Sequence, residues 1–153
     1  REEAACRRTI FGGLRDGFRR IRPYRWNVGG QGLIEIPVTT MPFLRVPIHF
    51  SYVLYLSLYS QALAERYFLT ALRLCQVAGV EPSLLLHPLD FLGCHESSGV
   101  EFFPGMALSL EVKLERIDSL VARLSKAFRV IPICDHAKAV AQNVTLPLLS
   151  VAV

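Results

Sequence analysis

The sequence lacks paired cysteines. It contains four cysteines, no two of which form a Cys-x-x-Cys motif: Cys6, Cys75, Cys94 and Cys134. This spacing excludes a zinc ribbon and a thioredoxin-type dithiol. Wide spacing and mostly apolar neighbours are typical of reduced, buried thiols. Reduced thiols weakly favour the cytoplasm, but the location of the protein remains unknown.

Closely spaced histidines are also missing. The four histidines include no His-x-x-x-His or His-Glu-x-x-His pair: His49, His87, His95 and His136. The spacing at which one helix presents two metal ligands on the same face is therefore absent. The sequence by itself predicts no metal site within this chain.

Charged residues are scarce. They make up 20% of the 153 residues, against 52% hydrophobic residues, and the mean hydropathy is +0.35. This composition excludes a disordered chain and leaves a membrane protein or part of a larger domain. Residues 46–64 contain no Asp, Glu, Lys or Arg. Because a proline, a histidine and three serines dilute their hydrophobicity, we predict a buried helix there and no clear membrane span.

Positive charge is concentrated at one end of the chain. The formal net charge is +4, and eight arginines lie within the first 25 residues. Such a cluster can bind phosphate or nucleic acid. No DNA- or RNA-binding motif accompanies it, so we interpret it as a solvated face and predict no nucleic-acid partner.

Strand signals occur at three places. Residues 33–38 and 129–134 have the composition of strands, and residues 83–87 form an apolar run typical of a parallel strand buried on both faces. Residues 12–32 are rich in glycine and arginine and predict a loop. Residues 143–153 are apolar and interrupted by proline, and no element is assigned to them.

Helical periodicity covers about residues 50–78 and 110–128. Gly79 is the predicted C-terminal cap of the first helix, and Ser109 is the predicted N-cap of the second. Asp135 is predicted to cap a last helix. Strands that alternate with helices favour an α/β domain with a mainly parallel sheet.

His87 stands out among the histidines because of its position. It ends the apolar run 83–87, and in parallel α/β folds the carboxyl ends of strands carry the active site. An imidazole there can serve as a general acid.

Several segments resemble the polysaccharide deacetylases of the NodB-homology family. Residues 84–90 (LLLHPLD) contain a Leu-x-x-His that is similar to the last motif of that family. Residues 33–40 (LIEIPVTT), 44–47 (LRVP) and 22–25 (RPYR) are similar to its surrounding signature. The resemblance covers about residues 22–136.

The resemblance implies a fold. Residues 1–142 would be the C-terminal portion of a deacetylase-like catalytic domain. That portion would be part of a distorted (β/α) barrel of the polysaccharide deacetylase type, with mainly parallel strands covered by helices. Residues 143–153 would be an apolar tail outside it.

The resemblance also implies a reaction, the hydrolysis of N- or O-acetyl groups on an acetylated polysaccharide or glycan. In that family a divalent metal, usually zinc, is held by one Asp and two His and polarises the acetyl carbonyl, and a second Asp is the general base. His87 then becomes the candidate catalytic acid. Leu84 becomes the candidate substrate-binding residue that lines the acetyl-methyl pocket.

The sequence departs from the family in ways that concern the metal. The Thr-Phe-Asp-Asp and His-x-x-x-His motifs are absent, and Ile21 stands where an Arg-x-Pro-aromatic motif has its Arg. We therefore expect the metal-binding N-terminal half of the barrel to be missing and this chain by itself to be inactive. Two alternatives are a membrane-associated protein and a non-catalytic carbohydrate- or partner-binding module. In such a module, loop aromatic residues such as Tyr24, Trp26, Phe102 and Phe103 would stack on sugars.

Overall fold

The computed structural model describes residues 20–93, 96, 99–103, 105–143 and 145–150. The described residues form a mixed α/β fold, as the sequence predicts at the level of class. The elements follow in chain order: β1 (Tyr24–Val28), β2 (Gln31–Glu35), α1 (Phe50–Ser57), α2 (Gln61–Ala78), a 3-10 turn (Pro88–Phe91), α3 (Leu110–Ala127), α4 (Ile133–Ala141) and β3 (Leu148–Ser150).

The described strands form one sheet in the order β2-β1-β3. β1 and β2 are antiparallel and joined by Gly29 and Gly30, whose φ angles of 57° and 85° are those that a type I′ hairpin turn requires. β3 runs parallel to β1 over only three residue pairs. The mainly parallel sheet is therefore a wrong prediction for the described strands, and the deacetylase-type barrel stays a prediction.

Two segments predicted as irregular contribute to this sheet. The predicted loop 12–32 contains β1 and the start of β2, while its residues 12–19 lie outside the described part. The unassigned tail 143–153 contains β3, whose preceding residue Pro147 accepts a hydrogen bond from the Arg25 N–H at 2.9 Å. Residues 144 and 151–153 of the tail lie outside the described part.

Residues 83–87 are extended but do not form a strand, so that prediction is wrong. Their hydrogen bonds go to isolated partners: the Ser83 carbonyl accepts from the Thr39 N–H at 2.9 Å, and the Leu85 carbonyl accepts from the Phe50 N–H at 3.3 Å. Leu85 and Leu86 are 37% and 38% exposed. The run is thus neither paired in a ladder nor buried on both faces.

The strand predicted at 129–134 is also absent. Residues 129–132 are irregular, and Ile133 already begins α4, with Pro132 as its N-cap. Asp135 lies in the first turn of α4 and does not cap it. The Pro132 carbonyl accepts the first bonds of α4, from the Asp135 and His136 N–H groups at 3.0 and 3.1 Å, and the β-branched composition before it does not prevent this helix start.

The helix predicted over 50–78 is two helices. Ser60 ends the break between α1 and α2, and its hydroxyl caps α2 by accepting from the Leu63 N–H at 3.3 Å. Gly79 caps the other end of α2 in the left-handed conformation, with φ 58°, which confirms the prediction. Ser109 caps α3 through the Val112 N–H, as predicted. In the described part of the chain, no helix is long and apolar enough to cross a membrane.

The core lies between α1, α2 and α3. Phe50 and Phe68 pack with their ring centroids 5.9 Å apart in one cluster, and Cys75 belongs to an adjoining cluster. Burial raises the pKa of the Cys75 thiol to about 11, so this thiol has the buried environment that the sequence predicts. Cys134 is exposed, contrary to that prediction, and Cys6 and Cys94 lie outside the described residues.

Candidate functional site

His87 lies directly before the 3-10 turn, and its backbone is held from both sides. Its N–H donates to Oδ2 of Asp90 at 2.8 Å, and its carbonyl accepts from the Asp90 N–H at 2.9 Å. Pro88, with its fixed φ, opens the turn. The position of His87 is therefore set by the turn and not by the end of a strand.

Asp90 connects this turn to α1. It is only 1% exposed, and its Oδ2 also accepts a hydrogen bond from the Ser51 hydroxyl at 3.0 Å. Its Oδ1 is buried and has no hydrogen-bond partner among the described residues. Asp90 is thus a buried carboxylate that supports His87 and ends the preceding extended segment.

The half-buried imidazole of His87 contacts two other rings. Phe103 meets it edge-on with ring centroids 5.3 Å apart, and the His49 ring lies 6.3 Å away at 88°. We define His49, His87, Asp90, Ser51 and Phe103 as the His87 cluster. It brings the start of α1, the 83–87 segment and the 99–103 loop together.

His49 has a structural task that requires a neutral ring. Its Nδ1 accepts a hydrogen bond from the Tyr52 N–H at 3.3 Å and so caps α1. Burial, and then the charge of His87, lower the pKa of His49, while Asp90 opposes this shift. The cluster therefore places a capping imidazole, whose pKa is lowered, next to the second imidazole of His87.

Lys113 approaches the turn from the other side. It lies on α3, is fully buried, and its Nζ donates to the carbonyls of Leu89 and Leu92 at 2.9 and 2.6 Å. Sequence analysis predicts Lys113 only as one residue of a helix. A lysine between apolar positions of an amphipathic helix carries no signal that its ammonium is buried.

Leu84 and His87 have different surroundings. Leu84 packs against both core clusters, whereas His87 contacts the rings of His49 and Phe103. The role of Leu84 as an acetyl-methyl pocket residue stays a prediction.

The other histidines lie apart from this cluster. His136, on α4, faces Glu81 with Nε2 and Oε2 3.3 Å apart. His95 lies outside the described residues.

The aromatic side chains predicted to stack on sugars differ in how far they are buried. Tyr24 and Trp26 lie in β1 and not in a loop, Tyr24 is buried, and Trp26 donates to Oε2 of Glu35 at 2.6 Å. Phe102, next to the His87 cluster, is 76% exposed. Phe103 packs edge-on against the His87 ring, so Phe102 is the most exposed of the four side chains.

The described residues contain no group of three or more His, Cys, Asp or Glu side chains that could hold a metal ion. This part of the chain therefore does not fit a zinc ion by itself. The chain matches none of the protein-family models, curated proteins or solved structures with which it was compared.

Proposed function

We propose that this chain is the C-terminal part of a metal-dependent carbohydrate deacetylase that hydrolyses N- or O-acetyl groups on a sugar. The observation that supports this best is the placement of His87. The histidine of the Leu-x-x-His string is anchored by a buried carboxylate, through the 2.8 Å bond from its N–H to Asp90. Its imidazole lies half-buried beside Phe103.

In this proposal His87 is the general acid. The nitrogen that leaves an acetamide, or the oxygen that leaves an acetate ester, needs a proton as its bond to the acetyl carbon breaks. The protonated imidazole gives that proton and becomes neutral. The Asp90 carboxylate anchors the backbone of His87 through the His87 N–H, so this anchor does not depend on the protonation of the imidazole.

The test is acetate release by the intact enzyme with His87 replaced by alanine. General-acid catalysis contributes about a hundred- to ten-thousand-fold, so kcat for N-acetylated oligosaccharides should fall by that factor with unchanged metal content. His136→Ala, which removes a half-buried imidazole on α4, is the matched control and should retain turnover.

A second substrate makes the role specific. p-Nitrophenyl acetate releases a phenolate that needs no proton, so His87→Ala should lose far less activity on this ester than on an N-acetyl sugar. Near-parental turnover of the sugar by His87→Ala would show that this assignment is wrong.

The alternative proposal is a carbohydrate-binding module without catalysis. The exposed ring of Phe102 supports it, since an open aromatic face can stack on a sugar ring. No acetate release by the intact protein, together with glycan binding that Phe102→Ala abolishes, would favour this alternative over the deacetylase.

A further inference from the structure

Lys113 is buried in a way that is rare for lysine. It is 0% exposed, whereas lysine side chains are mostly exposed in folded proteins. Its Nζ donates to the carbonyls of Leu89 and Leu92 and to Sδ of Met106, at 2.9, 2.6 and 3.2 Å. An ammonium has three N–H donors, and these three acceptors can take all of them.

Two of the three acceptors belong to the turn that follows His87. Leu89 is inside the 3-10 turn and Leu92 directly follows it. The turn has only four residues, and backbone bonds also tie its ends: the Asp90 N–H donates to the His87 carbonyl at 2.9 Å, and the Leu92 N–H donates to the Leu89 carbonyl at 3.4 Å. Short 3-10 segments have poor hydrogen-bond geometry, so this turn depends on partners outside it.

The outside partners approach from two helices. α1 reaches the turn through Ser51 and Asp90, at 3.0 Å. α3 reaches it through Lys113, with charge-assisted bonds that are stronger than bonds between neutral groups. Without Lys113 the α1 contact remains, but that contact acts on the side chain of Asp90. The carbonyls of Leu89 and Leu92 then lose their support from α3.

We propose that Lys113 is a positioning residue for His87, because its buried ammonium holds the turn that sets the direction of the imidazole. The catalytic consequence rests on the proposed function of His87 as the acid. A displacement of about 1 Å from the productive geometry can cost a hundredfold in rate. Lys113→Met should therefore lower kcat for an N-acetyl sugar by about that factor, with KM almost unchanged.

The first measurement is amide hydrogen exchange in the intact protein. Methionine has nearly the length of lysine but no N–H donor, so Lys113→Met should speed exchange at the amides of Asp90 and Leu92. The amides of Phe68 and Leu72, in the core helix α2, should keep their protection. Lys126→Met, at an exposed position in the last turn of the same helix, is the control and should change neither group.

The second measurement separates positioning from a general loss of structure. A residue that acts through His87 has nothing to position once the imidazole is gone, so Lys113→Met should not lower kcat further in a His87→Ala background. If Lys113→Met does not fold, Lys113→Gln, which keeps two N–H donors, should give the same pattern in weaker form.

Three results would overturn the proposal. They are unchanged exchange at Asp90 and Leu92, an equal loss of protection in α2, and a further fall of kcat in the His87→Ala background. Failure of the proposed function looks different, because His87→Ala would then keep its turnover. Faster exchange confined to the turn would in that case still support the role of Lys113 in holding it.

Discussion

Replacement of Asp90 by alanine tests the hydrogen bonds at the centre of the His87 cluster. Oδ2 of Asp90 accepts from the His87 N–H at 2.8 Å and from the Ser51 hydroxyl at 3.0 Å. Asp90→Ala leaves both donors without this acceptor, in a place where Asp90 itself is 1% exposed. Each buried donor that loses its partner costs about 1–3 kcal/mol, so the loss of both should lower the free energy of unfolding by about 2–6 kcal/mol.

The matched variant is Ser51→Ala, which removes one donor and leaves the His87 bond to Asp90 intact. It should cost about 1 kcal/mol, the usual net value of one hydrogen bond. In the double variant no serine hydroxyl is left without an acceptor. Its loss of unfolding free energy should therefore be about 1 kcal/mol smaller than the sum of the losses of the two single variants.

These differences are measured by urea unfolding, monitored by circular dichroism. The slope of the free energy of unfolding against urea concentration should be the same for all variants if unfolding stays two-state. Asp90→Asn retains a carbonyl oxygen as acceptor and should lie between the parent and Asp90→Ala. The reasoning fails if Asp90→Ala costs no more than Ser51→Ala, or if the two substitutions are strictly additive.

Two further predictions concern the helix caps. The pKa of His49 in the folded chain lies below its ordinary value of 6.5, so the unfolded chain binds a proton more readily. The contribution of His49 to the free energy of unfolding is therefore fully present above about pH 6.5 and should decline as the pH falls below it. His49→Asn keeps a capping acceptor without a titrating ring, so its unfolding free energy should fall less between pH 7 and pH 5; equal slopes would contradict this. Gly79→Ala should cost about 1–2 kcal/mol in urea unfolding, because the φ of Gly79 is +58° while the added Cβ would meet only Arg22 at an ordinary 3.6 Å. Gly79→Asn, which tolerates this conformation better, should cost less, and a neutral Gly79→Ala would show that the cap is not left-handed in solution.

The sequence by itself determined the features that depend on near neighbours. Gly79 and Ser109 cap their helices as predicted, since a cap bonds to backbone groups within a few residues of itself. The Gly29-Gly30 pair carried an equally local signal for a hairpin turn. The prediction of a loop there rested on the glycine and arginine content of residues 12–32 and did not use that signal.

Only the tertiary structure decided which extended segments become strands. Residues 83–87 and 148–150 are similar short apolar runs, but Leu148–Ser150 pairs with β1, and 83–87 pairs with none of the strands in the described part of the chain. A strand needs a partner for its backbone groups, and the partner of β3 lies more than a hundred residues earlier in the chain. Composition within either segment carries no information about that partner.

The candidate site shows the same division. The sequence identified His87 through the Leu-x-x-His string, and Asp90 was already close to it in the chain. Ser51 is 39 residues from Asp90, and Lys113 is 24 residues from Leu89, so folding alone brings them to the turn. Serine and lysine are common on helix surfaces, and only burial against a specific partner makes them part of a site. A buried polar group without a partner is costly, whereas a paired one holds its neighbour in place.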